Sequence, residues 1–416
     1  MAVPVWSTKT ALYEFDYDTG THSPVVGEVI NVDVAAGETA VVHAWTVASG
    51  DWGTSDAVGK MWVYSASADF ITNLVNDDNI DDSGDTQICI TTGGVTAKAA
   101  DWGVAGSWGS GEDPAVPVAA DEVIFDSTSV ITPTTTMAIG DTGGKDYDLL
   151  YFKSTYTGGI GATTVPLHTS AQKIIIEGSG TYYIEIAETG TGADQVVPLM
   201  IINNKDATVY LSGEDCDSTN VCEITDLYII AGTVYIGNDG TSNNPLAVQN
   251  LYIYPKNNKS SNVTVYIDDD VERVTAATPY AMSIYMSNGV VTSDSAAALI
   301  DMAKGTFTYG TEGGGGTTDQ VIASLRLAGG TFNWVPESTG GAPSITKAYL
   351  LGGVFDSSST VNDDVAKTIG TVYIFSGATF DIENNMGNIT VTSLYNHKGT
   401  VVSDAGVKMA ITYNQP

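Results

Sequence analysis

LRLAGGTFNW (325–334), AYLLGGVFDS (348–357) and VYIFSGATFDI (372–382) are three versions of one phrase. They align on Gly330, Gly353 and Gly377. Five residues before each glycine stand Leu325, Ala348 and Val372, and three before it Leu327, Leu350 and Ile374. Two residues after it come Phe332, Phe355 and Thr379, the last followed at once by Phe380. Residues two apart share a face of an extended chain, so each unit reads as a short strand, a glycine corner and a second short strand. The corner calls for glycine because a tight turn often needs positive φ or no side chain.

Looser copies surround this triplet: LYIIAGTVYIG (227–237), LYIYPKNNKSSNVTVYI (251–267), IYMSNGVV (284–291), IDMAKGTF (300–307) and LYNHKGTVV (394–402). In the second of these, Pro255 and a polar insertion replace the glycine corner. Earlier and weaker turns run through 151–161, 173–186 and 199–211. From Gly289 onward the corner glycines lie 16, 25, 23, 24 and 22 residues apart. A near-constant period of this size marks a solenoid, and coils of about 22–25 residues suit a parallel β-helix with three strands per turn. One coil alone cannot bury its inner face, so stacked Leu, Ile, Val and Phe must form the interior. The N-terminal module is expected to serve as attachment or cap at one end, and the last strand-like segment, 407–413, or a partner subunit, to cover the other.

Composition agrees. Forty-five glycines, with abundant Thr, Ser and Val, favour strands and turns, and no sustained run has helical spacing with caps at both ends. The class expected is all-β: small antiparallel β modules at the N-terminus, then a parallel β-helix (β-solenoid). Residues 1 to about 100 form the first part, and the texture changes from Ala100. Forty-nine acidic residues against 16 basic ones give a net charge of −33. Nucleic acid needs clustered Lys and Arg to neutralise phosphates, and anionic membranes attract the same groups, so neither is an expected partner. The preferred reading of the charge is that it keeps a Gly/Val/Thr-rich surface soluble and self-repelling, with divalent-cation binding as the alternative. The first twenty residues show neither a basic nor an apolar signal region, which leads us to expect folding in a cytoplasm. Cys89, in QICITT, reads as a small buried residue; Cys216 and Cys222 flank an acidic loop and could close a disulfide, with reduced thiols the preferred reading.

Several segments carry residue types suited to chemistry. NDDNIDDSGD (76–85) sets oxygen donors at Asp77, Asn79, Asp81 and Ser83, as a calcium loop begins. An EF-hand, however, needs Gly where Asp82 stands and Glu where Ile88 stands. A solvated turn is the preferred reading; Ca2+ on Asp77, Asn79, Asp81 and Asp85 is the alternative, and no other cofactor is expected. Trp45, Trp52 and Trp62 could form a sugar-binding platform, but a small module needs large side chains to fill its core, and core is preferred. DDDVER (268–273) joins carboxylates, Asp268 and Asp270 among them, to Arg273, one of two arginines; Asp381 and Glu383 form another acidic pair. A charged turn is preferred for both. His22, His43, His168 and His397 are scattered without metal-ligand spacing. The glycine-rich 310–319 lacks the lysine and following helix of a phosphate loop.

DWGVAGSWGSGEDPAVPVAADEVIFDSTS (101–129), with Trp102 and Trp108 before a Pro/Gly stretch and a DEVIF strand, resembles the entry into β-solenoid domains of bacteriophage structural proteins and large surface adhesins. The module at 27–70, with its GEVI opening, resembles small β modules of tailed-phage virion proteins. The resemblance implies a non-enzymatic virion protein, foremost a capsid decoration or cement protein, with the major capsid protein or other virion proteins as partners and commonly a homo-trimer. It would sit on the virion surface after assembly in the host cytoplasm. The alternatives are a tail fibre or adhesin that binds host glycans and, less favoured, a polysaccharide-degrading enzyme.

Overall fold

A computed structural model of the 416-residue chain describes residues 5–6, 12–33, 37–98, 108, 111–112, 116–118, 120–127, 147–163, 166–187, 195–214, 222–237, 246–256, 262–268, 282–310, 321–335, 343–357, 366–383 and 389–403. Two compact units emerge, Met1–Ile139 with Tyr147–Leu167, and Gly140–Asp146 with His168–Pro416. The chain is nearly all β, an antiparallel N-terminal sheet followed by a parallel solenoid, as the repeats predict; its turns number about eight, where the repeats lead to an expectation of about twelve.

The first unit carries β1 (Val5–Trp6), β2 (Leu12–Gly20), β3 (Val29–Val32), β4 (Thr39–Ser49), β5 (Ala57–Tyr64), β6 (Asn79–Asp82), β7 (Gln87–Thr91), β8 (Thr96–Lys98), β9 (Gly111–Glu112), β10 (Glu122–Phe125) and β11 (Leu149–Phe152). The antiparallel order β3-β6-β7-β2-β5-β4 closes on itself, because β3 also pairs with β4 through Val29↔Val41 and Ile30↔Ala40. The result is a six-stranded barrel without a free edge in the ring, a common solution for a small all-β module. Alternation in β2 turns Phe15 and Tyr17 inward, where they meet Ile30, Met61, Ile80 and Ile88. Glu14 and Asp16 stay outside, where both hold Lys60 of β5, at 3.0 and 2.8 Å.

One short helix, α1 (Ala68–Asn73), was not anticipated. A single turn offers no periodicity to read; Ser67 caps it by accepting the Phe70 N–H, and Phe70 drops into the core against Phe15. The parallel pattern begins in this unit, where β10 pairs in register with β11 (Phe125↔Phe152) and β1 with β10. Trp108 packs edge-on against Phe125 of the DEVIF segment.

In the second unit the coils pair parallel, in register apart from local irregularities at Ile202–Thr208 and at Met282–Ser283. Leu227, Leu251, Ile284, Ile300, Leu325, Ala348, Val372 and Leu394 form one buried column. Across the corner, Phe307, Phe332, Phe355 and Phe380 form another, with ring centroids 5.1–5.6 Å apart. The third repeat therefore sends Phe380 inward, not Thr379: Gly353 pairs with Ala378, so Gly377 stands one residue out of step. Each of these coils carries two strands, such as Val321–Leu327 and Thr331–Trp334, where three were expected, and the first of them bends. In Val321–Leu327, both Ile322 and Leu325 are buried although three apart, and the ladder to Ser344–Leu350 skips Ala323, so the strand bends there. The sixteen-residue spacing from Gly289 to Gly305 is a coil whose return is short: Ser293 and Ala297 both lie in strands, with Asp294 and Ser295 buried between them.

Candidate functional site

The solenoid's outward columns are as regular as its interior. Tyr183, Tyr210, Tyr235 and Tyr266 stack at 4.6, 4.7 and 4.7 Å with planes within 9°. A second column runs Tyr228, Tyr252, Tyr285, Asp301, Arg326, Tyr349, Tyr373, Tyr395. Its tyrosines stack at 4.4–5.1 Å, and at its middle Arg326 reaches Asp301 at 3.2 Å. Parallel strands place equivalent side chains about 4.8 Å apart, which suits ring on ring. In such a stack each ring face is covered by the next ring, and water meets edges and hydroxyls. Burial, followed by the neighbouring phenols, raises the Tyr210 hydroxyl pKa. Burial, then Asp226 and the adjacent tyrosines, does the same at Tyr252.

Polar side chains, several of them buried, also pair between coils. Gln249 donates to Glu223 at 2.7 Å, Asn250 to Asp226 at 3.0 Å, and Glu185 holds His168 at 2.9 Å while accepting from Ser212. These bonds take up carboxylate lone pairs that would otherwise face a strongly acidic surface.

The core reading holds for Trp45 and Trp52, whereas Trp62 is buried outside the barrel core. Trp45 lies in the barrel core, Trp62 on the sheet's other face with its indole N–H on Glu14 at 2.9 Å, and Trp52 stacks on Tyr17 at 5.1 Å. The three do not share a platform. Cys89 is fully buried, as expected, and burial pushes its thiol pKa far up. Cys222 is disulfide-bonded, which corrects the expectation of a reduced thiol; Cys216 lies outside the described residues. The spacing of the two across an acidic loop permitted either state, and only the compartment argument had favoured reduction.

Of the calcium candidates, Asn79 and Asp81 belong to β6, with Asp77 before the strand and Asp85 in the turn after it. An extended strand rises about 3.3 Å per residue, so Asp77 and Asp85 are drawn to opposite ends of the segment. The Asn79 side chain binds Asp33 at 3.0 Å and Gln87 at 2.7 Å, and Asp81 is buried. Asp82, where an EF-hand would have glycine, organises the turn: its Oδ1 accepts the N–H groups of Gly84 and Thr86, and the latter bond leads in depressing its pKa. Among the described residues, the group of His, Cys, Asp or Glu side chains able to converge on one ion is His22, Glu28 and Asp82. Sequence spacing concealed it, since the barrel must close before Glu28 and Asp82 meet.

Of the acidic segments, Asp268 follows a strand, and residues 269–281, with Asp270 and Arg273, lie outside the described residues, as do 257–261, 311–320 and 404–416. Asp381 accepts the backbone N–H of Glu383 at 3.0 Å, the geometry of a strand-ending turn. His43 packs on Tyr64, and His397 stacks on Phe375.

Comparison with protein-family models, with curated proteins and with solved structures finds no match for this chain.

Proposed function

We propose that this chain is a non-enzymatic structural protein of a tailed-phage virion, in the first place a capsid decoration or cement protein. The observation that carries the reading is the outward column from Tyr228 to Tyr395. Its side chains contact their own equivalents in neighbouring coils, so the outer face is engaged in holding the spiral together. The likeness of 101–129 and 27–70 to virion modules supplies the setting, with the major capsid protein as partner and a trimer as the assembly. A charge of −33 fits a surface component better than one that touches packaged nucleic acid. The test is co-sedimentation with particles and immunogold labelling: label over the capsid is expected, and label confined to tail tips would overturn the capsid assignment. Light scattering of the purified chain checks the trimer.

A second reading, a glycan-binding fibre, draws on Tyr254 and Tyr266, which are 44% and 40% exposed. Tyr266 ends its stack, since the next coil offers Thr292 opposite it, so one ring face is left for a sugar. Saturable binding on a glycan array, lost in Tyr266→Ala, would favour this reading. Reducing-sugar release abolished by Asp268→Ala and Asp270→Ala would favour the enzyme instead.

A further inference from the structure

Three residues from distant parts of the N-terminal barrel meet at one rim. His22 lies just beyond β2, Glu28 just before β3, and Asp82 at the end of β6. Strand pairing fixes this meeting, for Ile30 of β3 is directly opposite Asp82. Each of the three is partly buried and offers a ligand atom, and these atoms all lie within 4.8 Å of one another.

Each side chain is also held by a bond that leaves donor capacity free. The His22 Nδ1 lies 3.1 Å from the Gln87 carbonyl oxygen. A carbonyl can only accept, so Nδ1 carries the proton and the lone pair of the neutral ring is on Nε2. Thr21, whose N–H donates to the Ile88 carbonyl at 2.7 Å, anchors the backbone beside it. Glu28 accepts the Val25 N–H on Oε2 at 2.9 Å, which leaves Oε1. Asp82 accepts two turn N–H groups on Oδ1, at 2.7 and 2.9 Å, which leaves Oδ2. Carbonyl-to-imidazole contacts of this kind orient the histidine ligands of metal sites and raise their basicity.

We propose that His22, Glu28 and Asp82 bind one first-row divalent transition metal of the Zn2+ class at this rim. The donor set decides the class. One imidazole nitrogen with two carboxylate oxygens suits zinc and its neighbours, whereas calcium takes six to eight oxygens and gains little from imidazole. Metal–ligand bonds of about 2.0–2.2 Å ask only a small inward rotation of the three side chains. Water completes the coordination sphere. The ion ties the end of β2, the start of β3 and the end of β6 to one point.

The test uses the full chain, stripped with chelator and titrated calorimetrically with zinc chloride in the presence of excess calcium chloride. Calcium occupies the diffuse acidic surface, so the expected result is a single saturable zinc site that calcium does not displace. His22→Ala and Glu28→Gln, both outside the strands, should each weaken it by about tenfold or more. Zinc should also raise the thermal midpoint of the wild type and not that of His22→Ala. Circular dichroism confirms folding, and Glu28→Gln supplies the reading should His22→Ala misfold. Equal zinc affinity in wild type and both variants, displacement by calcium, or no saturable binding would each overturn the proposal.

Discussion

A Cβ placed on Gly353 would lie 2.5 Å from the carbonyl oxygen of Gly330, one coil away. That oxygen accepts the N–H of Val354 at 2.9 Å, so it has no room to retreat. Gly353 also has φ 72°, in the left-handed region. Gly377 shares the backbone requirement, at φ 91°, but a Cβ there meets nothing within 4 Å. Gly377→Ala should therefore cost only the backbone strain, about 1–3 kcal/mol. Gly353→Ala should cost more, because it adds a steric clash. Urea denaturation of the two variants checks the ranking; equal midpoints would contradict the stacked-corner account.

The phenylalanine column makes a second prediction. Phe332 is buried between Phe307 and Phe355, at 5.4 and 5.6 Å, with no solvent to fill a void. Phe332→Ala should destabilise by about 3–5 kcal/mol. The loss should spread to adjacent coils, read as faster amide exchange in Thr306–Tyr309 and Gly353–Asp356 ahead of distant strands.

Outside, the stack and the hydroxyl can be separated at Tyr235, which lies 4.7 Å from both Tyr210 and Tyr266. Tyr235→Phe keeps both ring contacts and should change stability by no more than about 0.5 kcal/mol. Tyr235→Ala removes both and should cost about 1–3 kcal/mol, at about 0.5–1.5 per aromatic pair. Thermal melts of the two variants provide the comparison.

Three outward phenols bear on stability at high pH. Tyr210, Tyr252 and Tyr254 have hydroxyl pKa values raised in the folded chain, in each case chiefly by burial. A raised folded pKa means the native state keeps protons that the unfolded chain releases. Their contribution is fully present below the unfolded tyrosine value near 10 and is lost as pH climbs past it. Absorbance at 295 nm should show delayed phenolate formation that completes together with unfolding. Ordinary titration of these tyrosines in a native chain would refute this.

Cys89 provides a check on the barrel. Its thiol is buried and its pKa raised by desolvation first, so a thiol reagent should leave it untouched under native conditions and modify it once the barrel unfolds. Mass mapping of the modified peptide reports the difference.

Much of the solenoid was legible because its period is written in residue types. Leu325, Ala348 and Val372 were aligned from spacing alone, and they occupy one buried column. Where the copies drift by a residue, as at Thr379 and Phe380, spacing could not choose between them; strand register does, through Gly353↔Ala378. The barrel was legible only as strands and turns. Its closure depends on Val29 pairing with Val41 and on Ile30 facing both Ala40 and Asp82, contacts between segments that share no repeat. His22 looked isolated for the same reason, since its neighbours are set by chain closure. The outward tyrosines were visible in the letters LYII, LYIY and IYMS, but that they form continuous ladders required knowing that the coils stack without slippage.

In-register stacking also makes the coils interchangeable units of length. Ser344 lies opposite Thr368, so a chain lacking residues 344–367 would set Ile322 against Ile369, Leu325 against Val372 and Leu327 against Ile374, each an apolar match already used in the intact protein. Insertion of a copy would be tolerated on the same terms. A gene encoding such a spiral can be lengthened or shortened by whole windings while the surfaces at its two extremities stay unchanged, much as a ruler is cut at its graduations.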